Sequence, residues 1–99
     1  MAERFGPMTP WGRADGWQEL DRGVVQCSTP GHGGLFVPDS LLGAIPPERR
    51  AWAAHWSGSE NWYEEDCCWA AVALAFPELF SPELRDLAAR IVADYCPAA

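Results

Sequence analysis

Trp62-Tyr63-Glu64-Glu65-Asp66-Cys67-Cys68-Trp69-Ala70 is the stretch on which the reading of the fold turns, because three consecutive acids lie between aromatic residues just ahead of an apolar run. Carboxylates in the first turn of a helix are favoured by its dipole, by a few tenths to about one kcal/mol each. The pattern predicts a helix that begins at a capping Ser59 or Asn61, carries the acids early and runs to about Phe76, where Pro77 closes it. With that segment helical, any sheet must come from the N-terminal half.

Upstream, Trp17–Leu20 and Val24–Ser28 flank Asp21-Arg22-Gly23, a turn in which Gly tolerates positive φ, and together they predict a hairpin. Thr29-Pro30-Gly31-His32-Gly33-Gly34 is a connecting loop, and Leu35-Phe36-Val37 reads as a third short strand ended by Pro38. The Gly- and Pro-rich residues 1–16 read as an irregular lead-in. Ser40–Gly43 suits one helical turn, and Pro47 suits the first turn of a helix through Trp56, with Trp52 and Trp56 on one face. Downstream, Ser81-Pro82-Glu83 starts a last helix with a capping Ser and Pro at its first position. Leu84, Leu87, Ala88, Ile91, Val92 and Tyr95 form its apolar stripe. The expected architecture is α+β, a small antiparallel three-stranded sheet packed against two or three helices, in one domain over residues 1–99.

Composition excludes several classes of function. At 48% hydrophobic and 21% charged residues, the chain lies outside the range of intrinsically disordered sequences. Fourteen acids against seven basic residues leave a net charge of -7, which opposes direct binding to nucleic-acid phosphates. No apolar run spans a bilayer, and Met1-Ala2-Glu3-Arg4-Phe5-Gly6-Pro7 has no signal-peptide core, so the expected setting is soluble and cytoplasmic. Six Trp residues are many for so small a core, since each indole N–H needs a partner. An interface is a natural place for some of them.

Cys27, Cys67, Cys68 and Cys96 read as free thiols in a reducing compartment, small and apolar where buried. A zinc set of Cys27, His32, Cys67 and Cys96 lacks any C-x2-C pair, and neither metal nor cofactor is expected. Cys67 with His32, oriented by Glu65 or Asp66, has the residue types of thiol catalysis. Type matching without geometry favours a non-enzyme. The loop at 29–34 lacks both nucleotide-loop patterns and reads as a tight connection, and His55 as a partly exposed packing residue.

Thr9-Pro10-Trp11-Gly12, His32-Gly33-Gly34, Val37-Pro38, Trp62 to Cys67 followed by Trp69-Ala70, and Ala75-Phe76-Pro77 span most of residues 8–80. In these pieces the chain resembles a family of small, largely uncharacterised domains encoded by bacteriophages, plasmids and other mobile elements. Cys68 departs from the more often polar or acidic residue at its position. The resemblance implies a setting, the cytoplasm of a host bacterial cell, and no activity: short acidic proteins of mobile elements are often anti-defence factors. The expectation is an acidic, anti-CRISPR-type inhibitor that occupies the basic DNA-recognition surface of a CRISPR or restriction subunit. Glu60, Glu64, Glu65 and Asp66 would be its anionic contacts, with Trp56, Trp62 and Tyr63 as the aromatic part of the same surface. The alternatives are a small thiol-dependent enzyme using Cys67 and His32, and an assembly adaptor of a phage or plasmid.

Overall fold

The structure, a computed structural model, describes residues 6–97. The α+β expectation holds, while the number of strands changes. A main antiparallel sheet has four strands, not three, in the order β3-β4-β5-β6: Gly16–Asp21, Val24–Ser28, Gly33–Phe36 and Trp62–Glu64. A separate ribbon pairs β1 (Met8–Thr9) with β2 (Gly12–Arg13), inside the stretch read as an irregular lead-in. Its reversal follows from Thr-Pro-Trp-Gly: the Thr9 hydroxyl donates to the Gly12 carbonyl at 2.7 Å and accepts the Trp11 N–H at 3.0 Å, while Gly12 takes φ 116°. Residues 1–5 of that lead-in lie outside the described residues.

The hairpin between β3 and β4 turns on Arg22 and Gly23, both at positive φ (52° and 88°), as a two-residue turn matched to strand twist requires. Asp39–Ala44 forms a 3-10 turn, followed by α1 (Pro47–Ser57) with Pro47 at its start. Arg50 Nη1 donates to the Leu42 and Ile45 carbonyls at 3.0 and 2.7 Å, tying that turn to the helix.

The helix expected from residue 59 to 76 is corrected into a loop, the strand β6, a turn and a short helix α2 (Trp69–Ala75). Local hydrogen bonds explain why. Gly58 ends α1 in the left-handed region, and the Ser57 hydroxyl lies within 2.8–3.0 Å of the Ala53, Ser59 and Trp62 carbonyls. Ser59 and Asn61 spend their polar groups on this reversal: Ser59 Oγ accepts the Asn61 N–H, and Asn61 Nδ2 donates to the Val37 carbonyl and to Asp39. The chain is thereby delivered to the open edge of β5, with Leu35 opposite Tyr63 and Phe36 opposite Trp62.

The core gathers Val24, Leu35 and Tyr63 from the sheet with Val37, Ile45, Trp52, Cys68, Val72 and Phe76. Beyond it, Ala70 and Ala73 of α2 meet Ala88 of α3 (Pro82–Tyr95), whose Ser81 cap accepts the Leu84 N–H as expected. The stripe of α3 is only partly used. Ala88 is buried and Ile91 and Val92 half-buried, but Leu84, Leu87 and Tyr95 are exposed.

Close approach dictates a glycine at residue 34, where an added Cβ would lie 2.5 Å from both the Trp11 ring and the Tyr63 carbonyl oxygen. Gly34→Ala is expected to lower unfolding stability in urea by roughly 1–3 kcal/mol. At Gly31 a Cβ would meet nothing within 4 Å, and Gly31→Ala should stay within about 0.5 kcal/mol of the parent.

Candidate functional site

Glu64 ends β6 opposite Gly34 and is only 8% exposed. A carboxylate so placed must recover the hydrogen bonds it gave up to water. Here the Asp66 N–H donates to Oε2 at 2.9 Å, and the Cys67 and Cys68 N–H groups donate to Oε1 at 2.7 and 2.9 Å. Burial alone would raise its pKa, but these backbone bonds outweigh burial and hold it below the usual range, so Glu64 is ionised at neutral pH. The same bonds wind residues 65–68 into the turn that enters α2.

His32 stands across from it. Thr29 closes the loop by accepting the His32 N–H on its hydroxyl at 3.1 Å and donating to the His32 carbonyl from both its backbone and its hydroxyl at 2.7 Å. The reading of 29–34 as a tight connection is thus met. The imidazole lies against Trp11 with ring centres 5.2 Å apart, its Nε2 3.6 Å from Glu64 Oε2 and its Nδ1 3.8 Å from Glu65 Oε2. Gly33 permits this approach, since a Cβ there would fall 2.9 Å from Glu65 Oε1. Trp11 also meets Trp62 edge-on, at 5.8 Å.

Of these groups, Trp11, His32 and Glu64 line an open cleft of about 1100 Å³. Trp11, Trp52, Trp56 and Tyr95 supply its aromatic walls, Glu48, Glu64 and Asp66 its carboxylates, and Cys67 lines it too. Trp56 and Tyr95 are 62% and 64% exposed, and His55 stacks edge-on against Trp56.

Of the acidic-aromatic set read from the sequence, Trp56, Glu64 and Asp66 line this cleft. Glu64 is corrected from a surface contact to a buried, backbone-bonded group. Tyr63 is likewise corrected: it is fully buried, its hydroxyl finds no hydrogen-bond partner among the described residues, and burial pushes its pKa well up. Trp62 is half-buried between Trp11 and Phe36. Glu65 is exposed beside His32, and exposed Glu60 pairs with Arg50 at 3.2 Å. The sequence reading missed Trp11, Trp52, Tyr95 and Glu48. Two of them had a signal: Trp11 its place in a compact Thr-Pro-Trp-Gly turn, and Trp52 its four-residue spacing from Trp56.

Cys67 and His32 do line the same cleft, but burial and then the Glu64 and Asp66 charges push the Cys67 thiol up, away from the thiolate that nucleophilic chemistry needs. The four-residue zinc set does not assemble among the described residues. The group whose possible metal-ligand atoms converge is His32, Glu64 and Asp66, all within 4.8 Å of one another. No helix among the described residues is long and apolar enough to cross a membrane.

Residues 5–99 match the model of a family described as a domain of unknown function, DUF7007. No curated protein and no solved structure matches the chain. An uncharacterised family is what the resemblance implied.

Glu64→Gln replaces one accepting oxygen by an amide donor facing backbone N–H groups, and is expected to lower stability by about 1–3 kcal/mol in denaturant unfolding at pH 7. Glu65→Gln, at an exposed position, should change it by no more than about 0.5 kcal/mol.

Proposed function

We propose, for a chain that belongs to the DUF7007 family of domains of unknown function, a role as an acidic protein-binding inhibitor whose cleft receives a cationic segment of its target. One observation carries this reading: the cleft joins aromatic walls to carboxylates, and no Arg is among the described residues that line it. An Arg or Lys side chain entering there would stack on Trp56 or Tyr95 and end near Asp66 or Glu48. Cation–π contact contributes about 0.5–1 kcal/mol at exposed sites and more when water is excluded. The net charge of -7 steers such a partner toward the protein.

Surfaces rich in exposed Arg and Lys are those that hold nucleic-acid phosphates. The target class is therefore a DNA-recognition subunit of a CRISPR or restriction complex, in keeping with the mobile-element setting that the motifs imply. Occupying that surface blocks DNA recognition without catalysis. Asp66 is the acid of the original set that lines the cleft with no ionic or backbone partner among the described residues, because Glu60 is paired with Arg50, Glu64 with the backbone, and Glu65 stands 3.8 Å from His32 Nδ1.

Titration calorimetry with an oligo-arginine peptide, followed by plasmid-interference assays in cells carrying CRISPR or restriction systems, tests the reading. Trp56→Ala is expected to weaken peptide binding about tenfold. Glu65→Lys combined with Asp66→Lys should abolish both peptide binding and protection while leaving the unfolding midpoint in place. Full protection by the charge-reversed protein would overturn the proposal, and salt-insensitive binding would remove its electrostatic basis.

A further inference from the structure

We infer that His32, Glu64 and Asp66, which all line the cleft, bind a divalent first-row transition cation of the zinc type. This rests on ligand geometry and does not require the protein-binding reading, with which it shares Asp66.

His32 Nε2 and Glu64 Oε2 are 3.6 Å apart, too far for a hydrogen bond, and neither ring nitrogen of this half-buried imidazole makes one within the described residues. That separation has a use. A cation about 2.0–2.1 Å from both atoms would see them about 120° apart, nearer to tetrahedral than to octahedral coordination. Asp66 supplies the third ligand atom within the same 4.8 Å group.

His32 and Glu64 are held before any cation arrives. Glu64 Oε1 accepts two backbone N–H groups, whereas Oε2, the oxygen 3.6 Å from His32 Nε2, accepts one, from Asp66. Backbone donors of this kind orient a ligating carboxylate in the manner of an outer coordination shell. His32 is set by the Thr29 closure, and Asp66 by the N–H bond it donates to Glu64.

The donor set selects the class of ion. Magnesium and calcium favour all-oxygen surroundings, while imidazole with carboxylates suits zinc and its first-row neighbours. Two carboxylates balance the charge of a divalent cation. Three protein ligands leave a fourth position toward the cleft, where solvent or a partner's side chain would complete the shell.

The test is calorimetric titration of chelator-treated, dialysed full-length protein with zinc chloride, repeated with cobalt(II) while its visible absorption is recorded. One-to-one binding with the intense visible bands of tetrahedral cobalt is expected, together with a zinc-dependent rise in the thermal midpoint. His32→Gln and Asp66→Asn should each weaken binding at least tenfold, with unchanged circular dichroism. Because Glu64 variants alter stability, they are not used. Cys67→Ser and Cys96→Ser should bind zinc as the parent does. Absence of one-to-one binding, or binding lost in the serine variants and kept in His32→Gln, would overturn the assignment.

Discussion

A single carboxylate that accepts three backbone N–H groups organises this protein around Glu64. Leaving a charge in a buried position with its hydrogen bonds unmade is expensive, so once Glu64 is drawn in as the last residue of β6, the following chain must curl back to meet it. That curl ends the strand, winds residues 65–68 into a turn and launches α2. It also decides direction. Tyr63 goes into the core, Trp62 goes to the opposite side against Trp11 and Phe36, and Asp66 and Cys67 are left lining the cleft.

Glycine and tryptophan do the complementary work from the neighbouring strand. The bare backbone of Gly34 lets the Trp11 ring lie almost on the sheet, and Gly33 makes room for the Glu65 side chain. Segments at residues 9–12, 32–34 and 62–67 thus meet through one steric condition and one electrostatic one. The half-buried His32 is carried into the meeting by its place between Thr29 and the glycines.

Features encoded within a few residues were legible in the sequence. The Arg22-Gly23 turn, Pro47 at the start of α1 and the Ser81 cap all follow from local backbone preferences, and the structure has each of them. The strand at Trp62–Glu64 was not legible, since three residues display no period and the acids after it imitate a helix start. The imitation has a physical basis: Glu64 does accept the first amides ahead of α2, but through its side chain at the end of a strand. Tyr63 was misplaced for the related reason that its neighbours are charged, whereas alternation along the strand sends it inward. The cleft itself was hidden because its walls come from the ribbon, α1, the turn after β6 and the end of α3, and no local pattern records their convergence.

The contact between α2 and α3 has a dynamic consequence. Ala70, Ala73 and Ala88 bring the two helices close, but alanine buries little apolar area, and Leu84 and Leu87 of α3 contribute less than their size because they remain exposed. Elements held by little buried area open at lower free energy than the unit as a whole, and their amides exchange with solvent sooner. The last helix, anchored on α2 and the core chiefly by half-buried Ile91 and Val92, is therefore expected to open before the sheet does. Tyr95 rides on it while His32 and Glu64 belong to the sheet side, so opening of that helix would carry away one wall of the cleft and leave the opposite one in place.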